Sequence, residues 1–424
     1  MNVLIIGNGA REHAFVVAIS KSRSHVRVFS INANCGLLFF SEDINVDISD
    51  FSNVKEIILD KSIDMVLVGP EMPLINGITD FINSDPELKH VNVIGPSKQG
   101  AMLEGSKEFA KNFMNKYGIP TAYYKSFDSL TISEGIDFIK NNNPPFVLKA
   151  DGPAAGKGVL IVDNEEEAIK NLEDMILNSK FGKSSEKVVI EEFLDGIEMS
   201  CFVLFDGLNY KILPYAKDYK RIGEGDKGLN TGGMGAISPV NFLDDNLKNK
   251  IKTEIVEPTI NGLINEKINY VGFIFIGLIN VDGQPKVIEY NVRMGDPETQ
   301  VVLPRIKTDF VDLLKACINN KLSQIDLELD SDYFVNVVIA SKGYPEKYEK
   351  GHEITFEDDT TDSVIYHAGT TSGPRGSIVT NGGRVLSVVS RGKTMDEALK
   401  KSYESIDKIN FKGKTFRKDI GFDL

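Results

Sequence analysis

Three polar residues in the stretch VIEYNVRMGDPETQ combine the residue types that metal-assisted phosphate chemistry requires. Side chains alternate across a strand, so Glu289, Asn291 and Arg293 are predicted to project from one face. Carboxylate and amide oxygens suit Mg²⁺, which usually takes one or two protein groups together with phosphates and water. An arginine beside them would stabilise charge on a transferring phosphoryl group. The alternative is an exposed edge strand, which the apolar flanking residues disfavour.

The stretch KADGPAAGKGV, which begins at Lys149, contains a glycine-rich loop that differs from the P-loop. A P-loop has four residues before its Gly-Lys pair and a Ser or Thr after it, whereas three residues separate Gly152 from Gly156, and Gly158 takes the hydroxyl position. Lys149 lies in an otherwise apolar strand, where an unpaired ammonium is costly to bury, so it requires an anion. The loop amides and Lys157 are predicted to close over a triphosphate. The alternative is a solvated hairpin.

The stretch VVIEEFLDGIEMS runs from a strand into a turn and predicts a second nucleotide contact. The backbone of such an edge can pair with an adenine, while Phe193 and Leu194 enclose the ring and Glu198 reaches the ribose hydroxyls. Taken in isolation, Glu192 and Glu198 are equally compatible with ordinary surface charges.

The N-terminal GNGAREHA resembles a dinucleotide fingerprint only in part. Gly7 and Gly9 fit the pattern, but Glu12 replaces its third glycine and the second strand ends without the acid that holds a ribose hydroxyl. This argues against nicotinamide binding. The helix start still offers amides and a positive dipole end to one phosphate, with Arg11 nearby. A plain tight turn is the alternative.

The stretch DYKRIGEGDKGLNTGGMGAISP is too glycine-rich for a packed element and too long for a simple turn. Lys220 and Arg221 are predicted to meet a phosphate, and a disordered surface loop is the alternative. Close backbone approach to a small substrate is predicted for Gly232, Gly233, Met234 and Gly235.

The elements that would position these residues follow from apolar periodicity. The runs NVLIIG, HVRVFSI, DMVLVGP and VNVIGP predict buried parallel strands, and ligands bind beyond the carboxyl ends of such strands, here at Gly7, Gly69 and Gly95. A helix capped by Ser106 follows. The centre reads as an α+β core, with one helix near 164–178 and an antiparallel pair across DGQ. The tail predicts a hairpin turning at 381–383 and a helix with a Thr394/Glu397 capping box.

Composition limits the class of partner. The chain has 424 residues, 42% of them hydrophobic, and a net charge of -13, which disfavours nucleic acid and membrane surfaces because both would be repelled. Cys35, Cys201 and Cys317 lack metal-ligand spacing and are expected to be buried thiols in a reducing compartment. No apolar run has the length of a membrane span, so a soluble, cytoplasmic protein is expected.

Taken together and in this order, the segments resemble the ATP-grasp ligases and, within them, the phosphoribosylamine–glycine ligases of purine biosynthesis. The resemblance covers essentially the whole chain. It is carried by GNGAREHA, VGPEMPL, IGPSKQGAMLEGSKEFAK, LKADGPAAGKGV, IEEFLDG, NTGGMGA, IEYNVRMGDPETQ, YHAGT, TNGGRVL and FKGKTFRKDIG.

The resemblance implies a mixed α/β and α+β architecture. Its parts are an N-terminal parallel-sheet α/β domain over residues 1–102, an ATP-grasp domain over 103–326 with a mobile subdomain at about 121–190, and a small β-rich C-terminal domain over 327–424. The implied reaction joins glycine to 5-phosphoribosylamine through a glycyl phosphate, giving glycinamide ribonucleotide, ADP and phosphate. A monomer with Mg²⁺ or Mn²⁺ is expected.

The resemblance also implies roles for individual residues. Triphosphate ligands are Lys107 and Lys149, under a lid that contains Gly156, Lys157 and Gly158. The adenine segment is Glu191, Glu192, Phe193 and Leu194, with Glu198 on the ribose. The metal ligands are Glu289 and Asn291. Phosphoribosylamine contacts are Gly9, Arg11, Gly69, Pro70 and Glu71. The catalytic set is Arg293, Lys149 and Asp296, the last positioning a substrate amine.

Three departures from the family pattern are Ala10, Pro153 and the INANCG stretch, and neither of the first two removes a side chain with an assigned role. Two other functions remain open at this point. One is a different ATP-grasp ligase or carboxylase of the same pathway, which would share every ATP residue. The other is a non-catalytic nucleotide-binding module, against which the Glu289, Asn291 and Arg293 face argues.

Overall fold

The computed structural model describes residues 1–154, 158–357 and 363–424. The first strands are β1 (Asn2–Ile6), β2 (Arg27–Ile31), β3 (Glu42–Ile44), β4 (Met65–Val68) and β5 (Asn92–Ile94). The first helices are α1 (Ala10–Ser20), α2 (Phe51–Asp60), α3 (Glu71–Asn76), α4 (Ile78–Ser84) and α5 (Lys98–Gly105).

These five strands form one parallel sheet in the order β3-β2-β1-β4-β5. The four strands predicted from apolar runs are confirmed, and the core residues of β1 and β4 are buried because the sheet is covered on both sides. Strand β3 is an edge strand with two exposed residues, and it has no apolar run to predict it. The carboxyl ends of β1 and β4 bring Gly7 and Gly69 to one edge.

The central part of the chain supplies twelve of the twenty-five strands in the described residues. They are β6 (Tyr124–Asp128), β7 (Phe146–Ala150), β8 (Val159–Val162), β9 (Lys187–Glu192), β10 (Ile197–Phe205), β11 (Tyr210–Ile212), β12 (Lys217–Asp218), β13 (Arg221–Gly223), β14 (Lys227–Asn230), β15 (Gly235–Ser238), β16 (Gly272–Val281) and β17 (Gln284–Asn291). Its helices are α6 (Lys107–Lys116), α7 (Ile132–Lys140), α8 (Glu165–Ile176), α9 (Asp245–Lys250), α10 (Glu257–Asn265), α11 (Thr299–Val302) and α12 (Phe310–Ile318); a π-helical turn at Ile251–Val256 joins α9 to α10.

Two antiparallel sheets, β6-β9-β7-β8 and β11-β10-β16-β17, dominate this part. Strands β7 and β8 pair across the glycine-rich loop, and β16 pairs with β17 across the predicted turn, so both predicted connections are confirmed. The β6-β9-β7-β8 sheet packs with α7 and α8 around its own apolar cluster, which includes Leu148, Leu172 and Ile190.

The C-terminal elements are β18 (Tyr333–Ser341), β19 (Glu353–Phe356), β20 (Ser363–His367), β21 (Thr370–Ser372), β22 (Ile378–Thr380), β23 (Arg384–Gly392), α13 (Met395–Asp407), β24 (Ile409–Asn410) and β25 (Lys414–Thr415). Strands β12 and β15, from the centre of the chain, join β18, β23 and β20 in one sheet. The mixed α/β and α+β class expected from the sequence is confirmed.

The predicted hairpin at 381–383 is wrong. Strand β22 pairs with β21 and β19, whereas β23 pairs with β18 and β20, so the turn connects two sheets instead of two partners. Only the threonine half of the predicted capping box of α13 is confirmed, because Thr394 Oγ1 accepts from the Glu397 N–H at 3.2 Å. The Glu397 carboxylate accepts from the Lys393 N–H, one residue before the cap.

The cysteines and the lengths of the helices test two further expectations. All three cysteines are buried free thiols, as predicted. Within 1–154, 158–357 and 363–424, no helix is long and apolar enough to cross a membrane.

Candidate active site

Arg293 stands at the centre of the predicted metal and phosphoryl face, just beyond the end of β17. Its Nη2 donates to Asn291 Oδ1 at 2.9 Å, which confirms that these two side chains share a face. The same nitrogen donates to Glu104 Oε1 at 2.8 Å, and Glu104 Oε2 accepts from the Val292 N–H. Glu104 therefore fixes both the arginine and the end of the strand. No pattern in the sequence indicated this residue.

Glu71 connects this face to the N-terminal sheet. Its Oε2 lies 3.5 Å from Arg293 Nε, and Arg11 is close enough to act on it electrostatically. Burial raises the pKa of Glu71, but the two arginines outweigh this and lower it below its ordinary value. Burial raises the pKa of Glu104, despite its contact with Arg293.

Lys149 contacts a carboxylate of its own chain. Glu191 Oε1 lies 3.0 Å from Lys149 Nζ, and Glu191 Oε2 lies 3.0 Å from Lys111 Nζ. Lys149 Nζ also donates to the carbonyl of Ile288, which precedes Glu289 in β17. Burial lowers the pKa of Lys111 to about 8 even though Glu191 opposes the shift. The side chain of Glu191 therefore belongs to the lysine cluster, and its backbone lies inside the sheet between Tyr124 of β6 and Val147 of β7.

Lys107 is the first residue of α6, and its position is set by the helix start. Ser106 Oγ accepts from the Phe109 N–H, and Asp151 accepts from the Glu108 N–H and from Ser106 Oγ, so the predicted cap is confirmed. Burial lowers the pKa of Lys107, while Glu289 acts in the opposite direction. Glu289 is thus the acidic neighbour of Lys107.

Parts of the predicted lid can be placed. Gly158 is buried and its carbonyl accepts from the Ala150 N–H at 2.8 Å, which closes the base of the β7–β8 loop. The predictions for Gly156 and Lys157 lie outside the described residues.

The predicted adenine edge is accessible. Phe193 is 41% exposed at the end of β9, and Leu194 is partly exposed, so both have free surface for a ring. Glu192 Oε1 accepts from the Tyr123 N–H and lies 3.4 Å from Lys286 Nζ. Glu192 therefore has a local structural role at this edge.

Lys220 is surrounded by carboxylates. Its Nζ donates to Glu198 Oε2 at 2.9 Å, and Asp218 and Glu289 are close enough to act on it electrostatically. Burial lowers the pKa of Lys220, but these carboxylates outweigh it and raise the pKa well above its ordinary value. Lys220 in turn lowers the pKa of Glu198. The sequence predicts a phosphate contact for Lys220. In the structure, the Lys220 ammonium pairs with Glu198, the predicted ribose ligand.

Two further acids missed by sequence reasoning lie beside Lys220. Burial raises the pKa of Asp218, and burial together with the charge of Asp218 raises the pKa of Glu298 to about 8. Ser200 Oγ lies 3.4 Å from Glu298 Oε1. The only sequence signal for Glu298 was the DPE triplet that contains it.

A cavity of about 280 Å³ opens at the carboxyl edge of the parallel sheet. It is lined by Gly7, Asn8, Gly9, Arg11, Glu12, Ile31, Asn32, Ile48, Pro70 and Asp296. Four of the predicted substrate residues, including Asp296, which is far from the others in sequence, therefore share one cavity. Asn8, Asn32 and Ile48 were not predicted.

Glu12 organises the turns around this cavity. Its Oε2 accepts from the Gly9 N–H at 2.6 Å, and its Oε1 accepts from Arg11 Nε at 2.7 Å. A Cβ at Gly69 would lie 1.8 Å from Glu12 Oε1, so a side chain at this position is excluded. The sequence predicts free amides for a phosphate at the start of α1, but the structure shows the first amide already bound by Glu12.

Two side chains hold Asp296 in place. Its Oδ1 accepts from Gln300 Nε2, and Arg384 Nη1 lies 3.4 Å from the same oxygen. Burial raises the pKa of Asp296, but Arg384 and Arg11 outweigh this and lower it. Asp296 is therefore a carboxylate at neutral pH, and Arg384 was not predicted.

The NTGGMGA loop is only partly accessible. Gly232 is exposed, whereas Gly233, Met234 and Gly235 are buried, and Met234 has no exposed surface. The Met234 side chain thus packs in the interior, and the Gly232 backbone is hydrogen-bonded on both sides, its N–H to Tyr344 Oη and its carbonyl to Arg384 Nη1. Arg221 Nη1 donates to the Gly228 carbonyl across the β13–β14 hairpin.

Comparison with known proteins gives a consistent family. The models of phosphoribosylglycinamide synthetase match in three parts: the N domain over residues 1–104, the ATP-grasp (A) domain over 105–299 and the C domain over 334–423. Phosphoribosylamine–glycine ligase of Caldanaerobacter subterraneus subsp. tengcongensis is 42% identical over 420 residues, covering 99% of each chain. A bifunctional purine biosynthetic protein of Pichia angusta is also 42% identical, and this chain spans 53% of its length.

A solved structure agrees. The crystal structure of phosphoribosylamine–glycine ligase from Thermotoga maritima superposes with a TM-score of 0.85 at 36% identity, covering 99% of this chain and 100% of that one. The chain belongs to the phosphoribosylglycinamide synthetase family, the phosphoribosylamine–glycine ligases, and is an ATP-dependent ligase of purine biosynthesis.

Proposed function

We propose that this ligase joins glycine to 5-phosphoribosylamine through a glycyl phosphate. The observation that carries the proposal is the Arg293 face: Arg293 contacts Glu71, which follows Pro70 of the cavity, and the strand that leads to Arg293 accepts from Lys149 of the lysine cluster at Ile288. A nucleotide on one side and an amine substrate on the other would meet at this arginine. Such an arrangement suits transfer of a phosphoryl group followed by attack of an amine.

The chemistry follows from the low reactivity of a carboxylate. A glycine carboxylate oxygen attacks the γ-phosphorus of ATP, and the bond to the bridging oxygen breaks to release ADP. The phosphoribosylamine nitrogen then attacks the carbonyl carbon, the C–O bond to phosphate breaks, and the nitrogen loses a proton. The acyl phosphate has to be kept from water, and positioning with charge stabilisation supplies most of the catalysis.

The proposed roles follow these contacts. Arg293 stabilises the transferring phosphoryl group, and Lys149 and Lys107 hold the triphosphate. The adenine lies at the end of β9, beyond Glu191, against the exposed Phe193 and Leu194, with Glu198 on the ribose. The β7–β8 loop closes over the nucleotide. Asp296 accepts a hydrogen bond from the phosphoribosylamine nitrogen, in the cavity lined by Gly9, Arg11 and Pro70.

Glu289 and Asn291 would hold Mg²⁺ or Mn²⁺. The described residues contain no group of three or more His, Cys, Asp or Glu that could hold a metal ion without other ligands. One carboxylate and one amide oxygen nevertheless fit a cation that takes its remaining ligands from phosphates and water. The metal would neutralise phosphate charge. We also propose that the protein is a cytoplasmic monomer.

An isotope experiment tests the proposal. Glycine labelled with ¹⁸O in its carboxylate, incubated with enzyme, Mg-ATP and freshly formed phosphoribosylamine, is expected to transfer one labelled oxygen to inorganic phosphate per turnover. Arg293→Ala is expected to slow this transfer by a factor on the order of 10²–10³. Unlabelled phosphate formed alongside product would exclude glycyl phosphate. ADP release with bicarbonate in place of glycine would indicate a carboxylase.

A further inference from the structure

Lys111, one helical turn after Lys107 in α6, is a buried lysine to which the proposed function gives no role. Only 1% of its surface is exposed. Its Nζ donates to Thr121 Oγ1 at 2.8 Å and lies 3.0 Å from Glu191 Oε2. Thr121 Oγ1 in turn donates to the Val287 carbonyl in β17 at 2.7 Å. Lys111 is therefore anchored to β17 on one side and holds Glu191 on the other.

The Glu191 carboxylate is shared between Lys111 and Lys149. Glu191 lies on β9 opposite Val147 of β7, and Lys149 lies two residues further along β7, so both side chains project from the same face of the sheet. Lys111 reaches this face from α6. Glu191 Oε1 lies 3.0 Å from Lys149 Nζ, and Oε2 lies 3.0 Å from Lys111 Nζ. Each ammonium therefore has one oxygen of the same carboxylate.

The contact between Glu191 and Lys149 lacks a hydrogen bond. Glu191 Oε1 is buried and accepts no hydrogen bond from any residue in the described ranges, although Lys149 Nζ is 3.0 Å away. Lys149 Nζ donates to the Ile288 carbonyl instead. Buried polar atoms are almost always hydrogen-bonded, so this oxygen calls for an explanation. An ammonium that a carboxylate holds by charge alone can still donate to a second anion.

Lys111 determines how much of the Glu191 charge falls on Lys149. Without the Lys111 ammonium, the one remaining ion-pair partner of Glu191 among the described residues would be Lys149. A buried carboxylate is costly unless it is paired and hydrogen-bonded, so both of its oxygens would turn to Lys149. Lys149 would then bind phosphate less strongly, because a phosphate would have to displace an internal anion first.

We propose that Lys111 is a positioning residue, which holds Glu191 back from full pairing with Lys149 and so keeps Lys149 available to a nucleotide triphosphate. This rests on the proposed function, in which Lys149 is a triphosphate ligand. Lys111 touches no substrate and acts through Glu191. Its replacement is therefore expected to weaken binding of the phosphate end of the nucleotide and to leave binding of the adenosine end unchanged.

Calorimetric titrations with Mg-ATP and with adenosine test this in Lys111→Met and in the double variant Lys111→Met/Glu191→Gln. We expect the Kd for Mg-ATP to rise by roughly 10-fold or more in Lys111→Met, with the Kd for adenosine within about 2-fold, because only the charge that Lys149 offers has changed. In the double variant the amide at 191 cannot neutralise Lys149, so the Kd for Mg-ATP should return to within about 3-fold of the wild-type value. A merely structural role for Lys111 would give no such recovery.

Two further variants complete the test. Lys111→Gln removes the charge but keeps a donor for Thr121 Oγ1, so it should raise the Kd for Mg-ATP as Lys111→Met does, and it keeps the test decisive should the methionine variant not fold. Lys116→Met is the matched control, because Lys116 ends the same helix but pairs with Glu266 at an exposed site. It should retain the wild-type Kd for both ligands.

The outcomes separate this role from the proposed function. A wild-type Kd for Mg-ATP in folded Lys111→Met or Lys111→Gln would overturn the role of Lys111, as would a double variant that binds Mg-ATP no better than Lys111→Met. An equal rise in the Kd for adenosine would also overturn it, because the whole nucleotide site would then be damaged. A wild-type Kd for Mg-ATP in Lys149→Met would instead refute the triphosphate role of Lys149 in the proposed function.

Discussion

At the scale of single residues, the lysine cluster shows how a buried charge is satisfied before any substrate arrives. Lys149 and Lys111 share the carboxylate of Glu191, which leaves the cluster with one more positive than negative charge. Lys107 adds another nearby ammonium. A surplus of positive charge in a low-dielectric site attracts phosphate more strongly than the same charges would in water. The Glu191 carboxylate reduces the free-energy cost of burying these ammonium groups when no nucleotide is bound.

The metal assignment makes a prediction at this scale. Glu289→Gln replaces a carboxylate with a neutral amide, which is a poorer ligand for a hard cation. We expect a lower kcat and a higher Mg²⁺ concentration for half-maximal rate, with an unchanged thermal unfolding midpoint. A Mg²⁺ titration of the rate measures this. Glu404→Gln, on the exposed face of α13, is the control, and equal Mg²⁺ dependence in the two variants would remove Glu289 from the metal site.

At the scale of elements, the turns after β1 and β4 are built around one side chain. Glu12 lies one turn into α1, yet it binds the amide before the helix and packs against the glycine that follows β4. The positive end of the helix dipole also stabilises the Glu12 carboxylate. Two strand ends and one helix start are therefore held in register by a single buried acid.

Gly69→Ala tests this arrangement. The new Cβ would displace Glu12, and the Gly9 amide and the Arg11 guanidinium would lose their acceptor. We expect a loss of about 2–3 kcal/mol in the free energy of unfolding, because buried donors would be left unpaired, and a higher KM for phosphoribosylamine. Urea unfolding and kinetics measure the two effects.

Gly105→Ala is the matched control, because its Cβ would meet Ile75 at an ordinary 3.4 Å. We expect it to change the free energy of unfolding by less than about 0.5 kcal/mol. Similar stabilities and KM values for the two alanine variants would show that Glu12 adapts without cost.

At the scale of the whole molecule, a pair of buried histidines joins the first and last parts of the chain. His13 Nδ1 accepts from the His367 N–H at 2.8 Å, and Asn34 Nδ2 donates to the His367 carbonyl. Burial and the neighbouring His367 lower the pKa of His13 to about 3, and burial lowers that of His367 to about 4. Both rings are therefore neutral in the folded protein at neutral pH.

This interface predicts acid sensitivity. Below an unfolded pKa of about 6.5, the unfolded chain takes up protons on these rings and the folded chain does not, so stability is full above that pH and falls as the pH drops toward 4. Each ring contributes a slope of roughly 1.4 kcal/mol per pH unit within the window. His367→Gln should reduce the slope between pH 6 and 4.5 in urea unfolding. His90→Gln, at an exposed site, should leave it unchanged, and equal slopes in all three proteins would contradict the prediction.

Local sequence patterns predicted the elements that depend only on interactions between residues close in sequence. The apolar runs predicted β1, β2, β4 and β5, because a strand buried on both faces needs no information from elsewhere in the chain. The cap at Ser106 and the pairing of β16 with β17 follow from residues within a few positions of one another. The order of the motifs identified the family by resemblance, and the proposed domain boundaries remain predictions.

Only the tertiary structure decided which distant groups meet. The anion that Lys149 requires is Glu191, on the neighbouring strand β9, and the partners of Arg293 and Asp296 include Glu104 and Arg384. Periodicity cannot encode such pairs, because it reports which face of an element is buried and not which element covers it. The error at 381–383 has the same cause, since a tight glycine turn fits a hairpin and a crossing between sheets equally well. Sheet pairing, and with it the composition of the site, is settled by long-range packing.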